Sequence, residues 1–145
     1  MNISKRTTTV SGLGISVNDK ALENIESAIP YTIANNYVLT EKTEINDLKS
    51  HKITTQNEFD KYFELKTSTL VDQTKKIDFS REYAIVVSEK ASKKHIEYDV
   101  NYLKIKGSKI NFSYNIEKSE KRKKTQQSFL IIVLNKKYQG DIRVK

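Results

Sequence analysis

The run Tyr83–Val87, YAIVV, constrains the fold of this chain more than any other stretch. A short apolar run rich in β-branched residues and bounded by polar turns reads as a buried strand. It is preceded by a short Ile77–Phe79 step and a turn through Ser80–Glu82. Lys76–Ser88 is therefore the centre around which the rest is organised. The segments before it read as edge material and helix, and those after it read as strands that pair against it.

Taken in order, Met1–Val17 is polar and Thr-rich, and suits either a loose tail or an added edge strand. Asn18 stands as a helix cap before Ala21, Leu22, Ile25, Ala28 and Ile29 at helical spacing, and Pro30 stops that helix. Tyr31–Leu39 follows as a strand with an irregularity at Asn35–Asn36. Ile45 and Leu48 anchor the polar connection Glu41–Lys52. Thr55 and Glu58 make a capping box, Thr-x-x-Glu, ahead of Phe59, Tyr62 and Phe63, which predicts a helix over roughly Gln56–Leu65. After a loop over Lys66–Lys75 comes the central stretch.

Beyond the loop Glu89–Lys94, a long strand starts at His95. Ile96, Tyr98, Val100 and Tyr102 alternate, and then the apolar phase jumps to Leu103 and Ile105. A phase slip of this kind is what a bulge or sharp bend produces. Gly107–Ser108 makes a turn into a second alternating strand carrying Ile110, Phe112, Tyr114 and Ile116, so the pair reads as a hairpin. Phe129–Leu134 is a second continuous apolar run, read as fully buried. Asn135–Gly140 turns, and Asp141–Lys145 gives a short last strand. The expected fold is mainly β (α+β), a small antiparallel barrel or curled sheet with one or two short packed helices. Residues 1–30 form an N-terminal segment with a short helix, loosely attached, and residues 31–145 a single barrel-like domain, within what one 145-residue core supports.

Charge is distributed unevenly. Residues 1–50 carry 5 basic and 6 acidic side chains, residues 51–88 carry 6 of each, and residues 89–145 carry 15 basic against 6 acidic. The last strands thus hold the whole excess behind the net charge of +8. A one-sided basic surface favours anionic partners, with strong salt dependence, and also serves simply as a solvated surface. With 22 Lys against 4 Arg, 16 Ile and 11 Asn, part of that excess fits the bias of an AT-rich genome.

A search for chemistry leaves little. There is no Cys, hence no disulfide, thiolate ligand or Cys nucleophile. His51 and His95 lie on different segments, and neither has a carboxylate at metal-ligand spacing. Gly12-Leu13-Gly14 lacks the third glycine and the preceding strand of a dinucleotide loop. No serine sits in a nucleophile elbow. The pair Glu97/Asp99 shares one strand face, where solvation accounts for it. No catalytic, metal or cofactor residue is assigned, and the chain reads as non-enzymatic.

One feature stands out, the segment Glu117–Gln127, EKSEKRKKTQQ, between two strands. Lys118, Glu120, Lys121, Arg122, Lys123 and Lys124 make it a mobile, mostly cationic finger, which suits an ordinary exposed hairpin loop or a recognition loop on a rigid scaffold. Ser92, Lys93 and Lys94, in the loop Glu89–Lys94, are the second set of candidate partner-binding residues. Nucleic acid needs exposed aromatics for stacking beside basic residues. Tyr98, Tyr102, Phe112 and Tyr114 fall in phase with apolar neighbours and read as core, so a nucleic-acid or polyanion partner ranks below a protein partner. No stretch approaches the ~20 apolar residues of a membrane helix, and the first thirty residues show no apolar signal core. No membrane insertion is expected, and an exported form would carry its signal outside this sequence.

The segments KITTQNEFDKYFEL, KIDFSREYAIVV, KINFSYNIEKSEK and FLIIVLNKKYQGDI resemble small exported β-domain proteins of Bacteroidetes. The likeness runs over roughly Tyr31–Lys145 and rests on core and turn positions. Within that broad group, potempins are small β-barrel protease inhibitors, and chagasin-like inhibitors use a similar loop strategy. The resemblance implies a secreted or periplasmic inhibitor that inserts loops into a protease cleft, with Glu117–Gln127 and Glu89–Lys94 as the inserting loops and the N-terminal segment as a third contributor. A protease with an acidic cleft, or a metalloprotease, suits so basic a loop better than a trypsin-like enzyme, which would cleave it unless it were held rigid. An uncharacterised surface-interaction role is the remaining alternative.

Overall fold

The computed structural model describes residues 25–40, 51–66 and 76–145. In chain order the elements are β1 (Glu26–Ala28), β2 (Thr32–Ile33), β3 (Tyr37–Leu39), β4 (His51–Ile53), α1 (Gln56–Tyr62), β5 (Phe63–Leu65), β6 (Glu82–Ser88), β7 (Ser92–Lys106), β8 (Lys109–Gln126), β9 (Phe129–Asn135) and β10 (Asp141–Val144).

The two continuous apolar runs are neighbours. β6 and β9 pair antiparallel along their whole length, with Tyr83 opposite Leu134, Ile85 opposite Ile132 and Val87 opposite Leu130. Both faces of this pair are covered, which is why neither run alternates with polar residues. Ala84, Val86, Ile131 and Val133 pack against Tyr37, Phe59 and Phe63 from β3, α1 and β5. Tyr83, Ile85, Ile132 and Leu134 pack against Leu103, Ile110 and Phe112 of a second sheet. The chain is thus three layers deep, with the most apolar sheet in the middle. That sheet runs β2-β9-β6-β4, the second runs β1-β7-β8-β10, and β3 with β5 forms a small third sheet.

Mainly β structure with antiparallel pairing is therefore found, but the barrel is not. The described strands form three separate sheets, and one pair, β8 with β10, is parallel. Nor do β7 and β8 pair against the central strand; they stack over it as a separate layer.

Local chemistry places most boundaries. Thr55 caps α1, its hydroxyl accepting from the Glu58 amide at 3.2 Å. The helix stops earlier than its spacing predicts, because Phe63 turns extended and pairs with Leu39 as part of β5. Tyr31–Leu39 is two short strands in different sheets, split around Asn35–Asn36. Glu26–Ala28 is a strand on the edge of β7 and not the end of a helix, while residues 18–24 of that expected helix lie outside the described residues. So do the segment 1–17 and most of the connections 41–52 and 66–75. At the start of β6, the Asp78 carboxylate accepts from the Ser80 hydroxyl and amide and from Arg81 Nε; these bonds hold it below the usual carboxylate range.

The phase slip on β7 is a bulge. Val100 faces Tyr114 and Tyr102 faces Ser113, so two steps on β7 meet one on β8 and Asn101 is the extra residue. Its amide bonds Ser113 Oγ at 3.1 Å, and its carbonyl accepts from Asn115 at 3.2 Å. The slip comes one residue earlier than the sequence pattern places it. Tyr102 consequently turns outward, where Lys104 Nζ lies 4.8 Å from its ring centre. Gly107 turns the hairpin at φ 59°, a conformation that disfavours side chains. At Gly140 an added Cβ would stand 2.5 Å from the Ser108 carbonyl oxygen, so only glycine lets β10 lie down beside β8.

Candidate functional site

The segment Glu117–Gln127 is not a loop. Through Gln126 it is the second half of β8, and Ser92, Lys93 and Lys94, expected in another loop, begin β7. The two candidate sets are brought onto one ladder, with Ser92 opposite Gln126, Lys94 opposite Lys121 and Ile96 opposite Lys118. Strand propensity here is set by the neighbour more than by the residues themselves. A cationic stretch becomes a strand because β7 offers it a backbone to pair with. The correction matters chemically, since a paired backbone presents its side chains in a fixed direction while a loop does not.

Pairing is uneven along this ribbon. Register shifts fall between Ser92 and Lys94 and again between Lys94 and Ile96, and β8 holds the extra residues in both places. Arg122, Lys123, Lys124 and Thr125 are thus crowded opposite Lys93. Bulges of this sort increase local twist and re-aim side chains. Lys93, Lys94, Lys118, Glu120, Lys121, Lys123 and Lys124 are all exposed, as are Glu117 and Ser119. None of those lysines forms an ion pair among the described residues, whereas Lys104 binds Glu26 at 3.3 Å elsewhere on the same sheet.

The base of the ribbon is fixed by polar contacts that have no signature in the sequence. The Tyr98 and Ser128 hydroxyls are 2.8 Å apart, and Gln127 Nε2 donates to the Glu89 carbonyl at 3.1 Å. These partners are 30 and 38 residues apart in the chain, so no local pattern announces them. Burial pushes the Tyr98 phenol up to about 12, and it also raises Tyr114. Both rings sit on the inner face, 5.8 Å apart, and the Phe112 ring stacks on Tyr114 at 5.4 Å. The aromatics thus lie on the inner face, where Lys118, directly opposite the buried Ile96, follows them, while Glu97 and Glu117 face each other on the outer one.

The structure sets each histidine beside a carboxylate. His51 Nε2 is 3.2 Å from Glu58 Oε2 and ties β4 to α1, with the Tyr62 ring packed edge-on beside it. His95 Nε2 is 3.1 Å from Glu97 Oε1 on the outer face of β7. Among the described residues no group of three or more His, Cys, Asp or Glu is placed to hold a metal ion. An open cleft of about 400 Å³ lies against α1 and β5, lined by Tyr37, Gln56, Asp60, Glu64 and Lys76 among others. Three of its groups are engaged in structural bonds: Gln56 donates to Asp60 at 2.7 Å, and the Tyr37 hydroxyl accepts from the Ile77 amide at 3.1 Å. No described helix is long and apolar enough to cross a membrane.

No protein-family model, curated protein or solved structure matches the chain.

Proposed function

We propose that this chain is a non-enzymatic binding module that engages an anionic protein partner through the β7–β8 ribbon. One observation carries the reading: the ribbon holds exposed lysines without ion pairs, two of them, Lys94 and Lys121, directly opposite one another. Like charges facing across a ladder cost stability, so the arrangement opposes folding and suits binding. With Tyr98, Phe112 and Tyr114 inward, Tyr102, its ring 4.8 Å from Lys104 Nζ, is the one of these four aromatics that faces outward, and a single ring makes a poor stacking platform, which favours a protein over nucleic acid.

The finer reading is protease inhibition, in line with the resemblance of the core segments to small exported β-domain proteins, a broad group that includes protease inhibitors. A lysine-rich segment held in a β ladder resists cleavage better than a loop, because proteolysis works on locally opened chain. The same pairing lowers the ordering cost of binding. In this reading the ribbon contacts the protease through Lys118–Lys124 and Ser92–Lys94.

The test is capture from the secreted proteins of the source organism by the immobilised full chain, followed by titration against any protease recovered. Saturable, stoichiometric loss of that protease's activity is expected, and it should disappear when Lys121, Arg122, Lys123 and Lys124 are all replaced by serine. Tight, salt-sensitive binding of random oligonucleotides with no protein captured would move the assignment to a polyanion binder. Capture of neither overturns the binding assignment.

A further inference from the structure

We infer that the outer edge of β8 beyond Phe112 is a strand-addition site for an extended acidic peptide segment, an inference that rests on the binding role proposed above and specifies its geometry. β10 covers only part of β8, pairing with Lys109–Phe112 in parallel. The Ser108 carbonyl accepts from the Asp141 amide at 2.8 Å and the Phe112 carbonyl from the Lys145 amide at 2.9 Å. Backbone direction alternates along a strand, so the next residues aimed off this edge are Tyr114 and Ile116. They face Val100 and Tyr98 of β7 as the pairs that exchange no backbone bonds with each other. Among the described residues nothing takes up the N–H and C=O groups of Tyr114 and Ile116. The edge thus continues the row that β10 uses, with donors and acceptors that no described residue takes up.

Charge decides what can dock there. An exposed strand edge invites pairing, and lysines are a common device for discouraging it. Lys118 and Lys121 follow directly along this edge, with Lys94 across the ladder. A second copy of this chain laid on the same edge would bring lysines against lysines. A segment carrying carboxylates would neutralise them while its backbone satisfies Tyr114 and Ile116, the mode in which main-chain bonds supply affinity and side chains supply selection. Tyr114 and Ile116 are half-buried on the inner face, and Ser113, Asn115 and Glu117 lie on the outer one. Lys118 follows Tyr114 and Ile116 on the inner face, so an incoming strand fits if it sets apolar or β-branched residues beside those two, carboxylates beyond them on the same face, and uncharged residues beside Glu117.

The probe is a synthetic peptide alternating Val with Thr, with Glu in place of Val over one end, compared with the same sequence N-methylated at every second residue. Amide hydrogen exchange of the full chain is followed by NMR. Binding of the first peptide is expected to slow exchange at Tyr114 and Ile116, and N-methylation is expected to weaken it by about tenfold or more. Equal binding of both peptides, with Tyr114 and Ile116 still exchanging freely, overturns strand addition and leaves the anionic-partner role standing. Failure of both peptides, with a random oligonucleotide bound instead, overturns strand addition in favour of polyanion docking. Failure of every anionic probe overturns the inference together with the role it rests on.

Discussion

Replacing Lys121 by Glu should stabilise the fold while weakening binding, a combination that a purely structural residue does not produce. Lys121 and Lys94 are directly opposed across the β7–β8 ladder and both are exposed. If ammonium groups on directly opposed residues are taken to stand about 7 Å apart in a water-like dielectric, their repulsion is about 0.6 kcal/mol. Lys121→Gln removes that repulsion, and Lys121→Glu turns it into attraction, for a gain of about 1 kcal/mol at low salt. For a domain of this size such a gain raises Tm by about 3–4 °C. Raising the ionic strength to about 1 M shortens the Debye length to about 3 Å and should erase most of it. Lys94→Glu should behave alike, and the Lys94→Glu/Lys121→Glu double variant should fall back towards wild type, since two carboxylates then face each other. Urea unfolding of the four proteins at low and high salt measures the cycle. A destabilised Lys121→Glu, additive single effects, or a gain indifferent to salt would show that these lysines do not oppose each other, and the ribbon register would be wrong.

Two further expectations concern the body of the domain. Phe59 is buried against Tyr37, Phe63 and Phe79, so Phe59→Ala should cost about 3–5 kcal/mol, and Tyr62→Ala, at a half-buried ring, distinctly less; equal shifts of the urea midpoint would contradict this packing. Burial pushes the Tyr83 and Tyr98 phenols from 10.0 up to about 12. Above pH 10 the unfolded chain loses these protons while the folded one keeps them. Their contribution is intact below pH 10 and is lost as pH rises from 10 to 12. Tyr83→Phe and Tyr98→Phe should flatten that decline of the urea midpoint, and a wild-type midpoint level across the window would refute the assignment.

Much of the local structure is legible in the residues because short-range chemistry decides it. Thr55 caps α1 because its hydroxyl reaches the Glu58 amide three residues on, and Gly107 turns the hairpin because it tolerates φ 59°. The bulge on β7 shows as a change in apolar phase, displaced by one residue because Tyr102 is as apolar in the pattern as the neighbours that truly face the core. Where local chemistry is weak, the partner decides. Glu26–Ala28 carries helical spacing yet pairs with Lys104–Lys106, and the strand pairing fixes its conformation. The basic segment reads as a loop because lysines have no strong preference of their own, and it becomes a strand against Ser92–Ile96.

The sequence by itself determined that Tyr83–Val87 and Phe129–Leu134 must be buried, since runs so apolar cannot tolerate a solvated face, and it determined where the cations are. It did not determine that these two strands pair with each other, or that the hairpin beside them forms a separate layer. Those are outcomes of long-range pairing and stacking, whose partners lie tens of residues apart and leave no periodic trace. The same holds for the ribbon: residues 92–94 and 118–124 owe their charge to composition, but their meeting on one ladder, and the edge of β8 that no described strand covers, exist only in the tertiary structure.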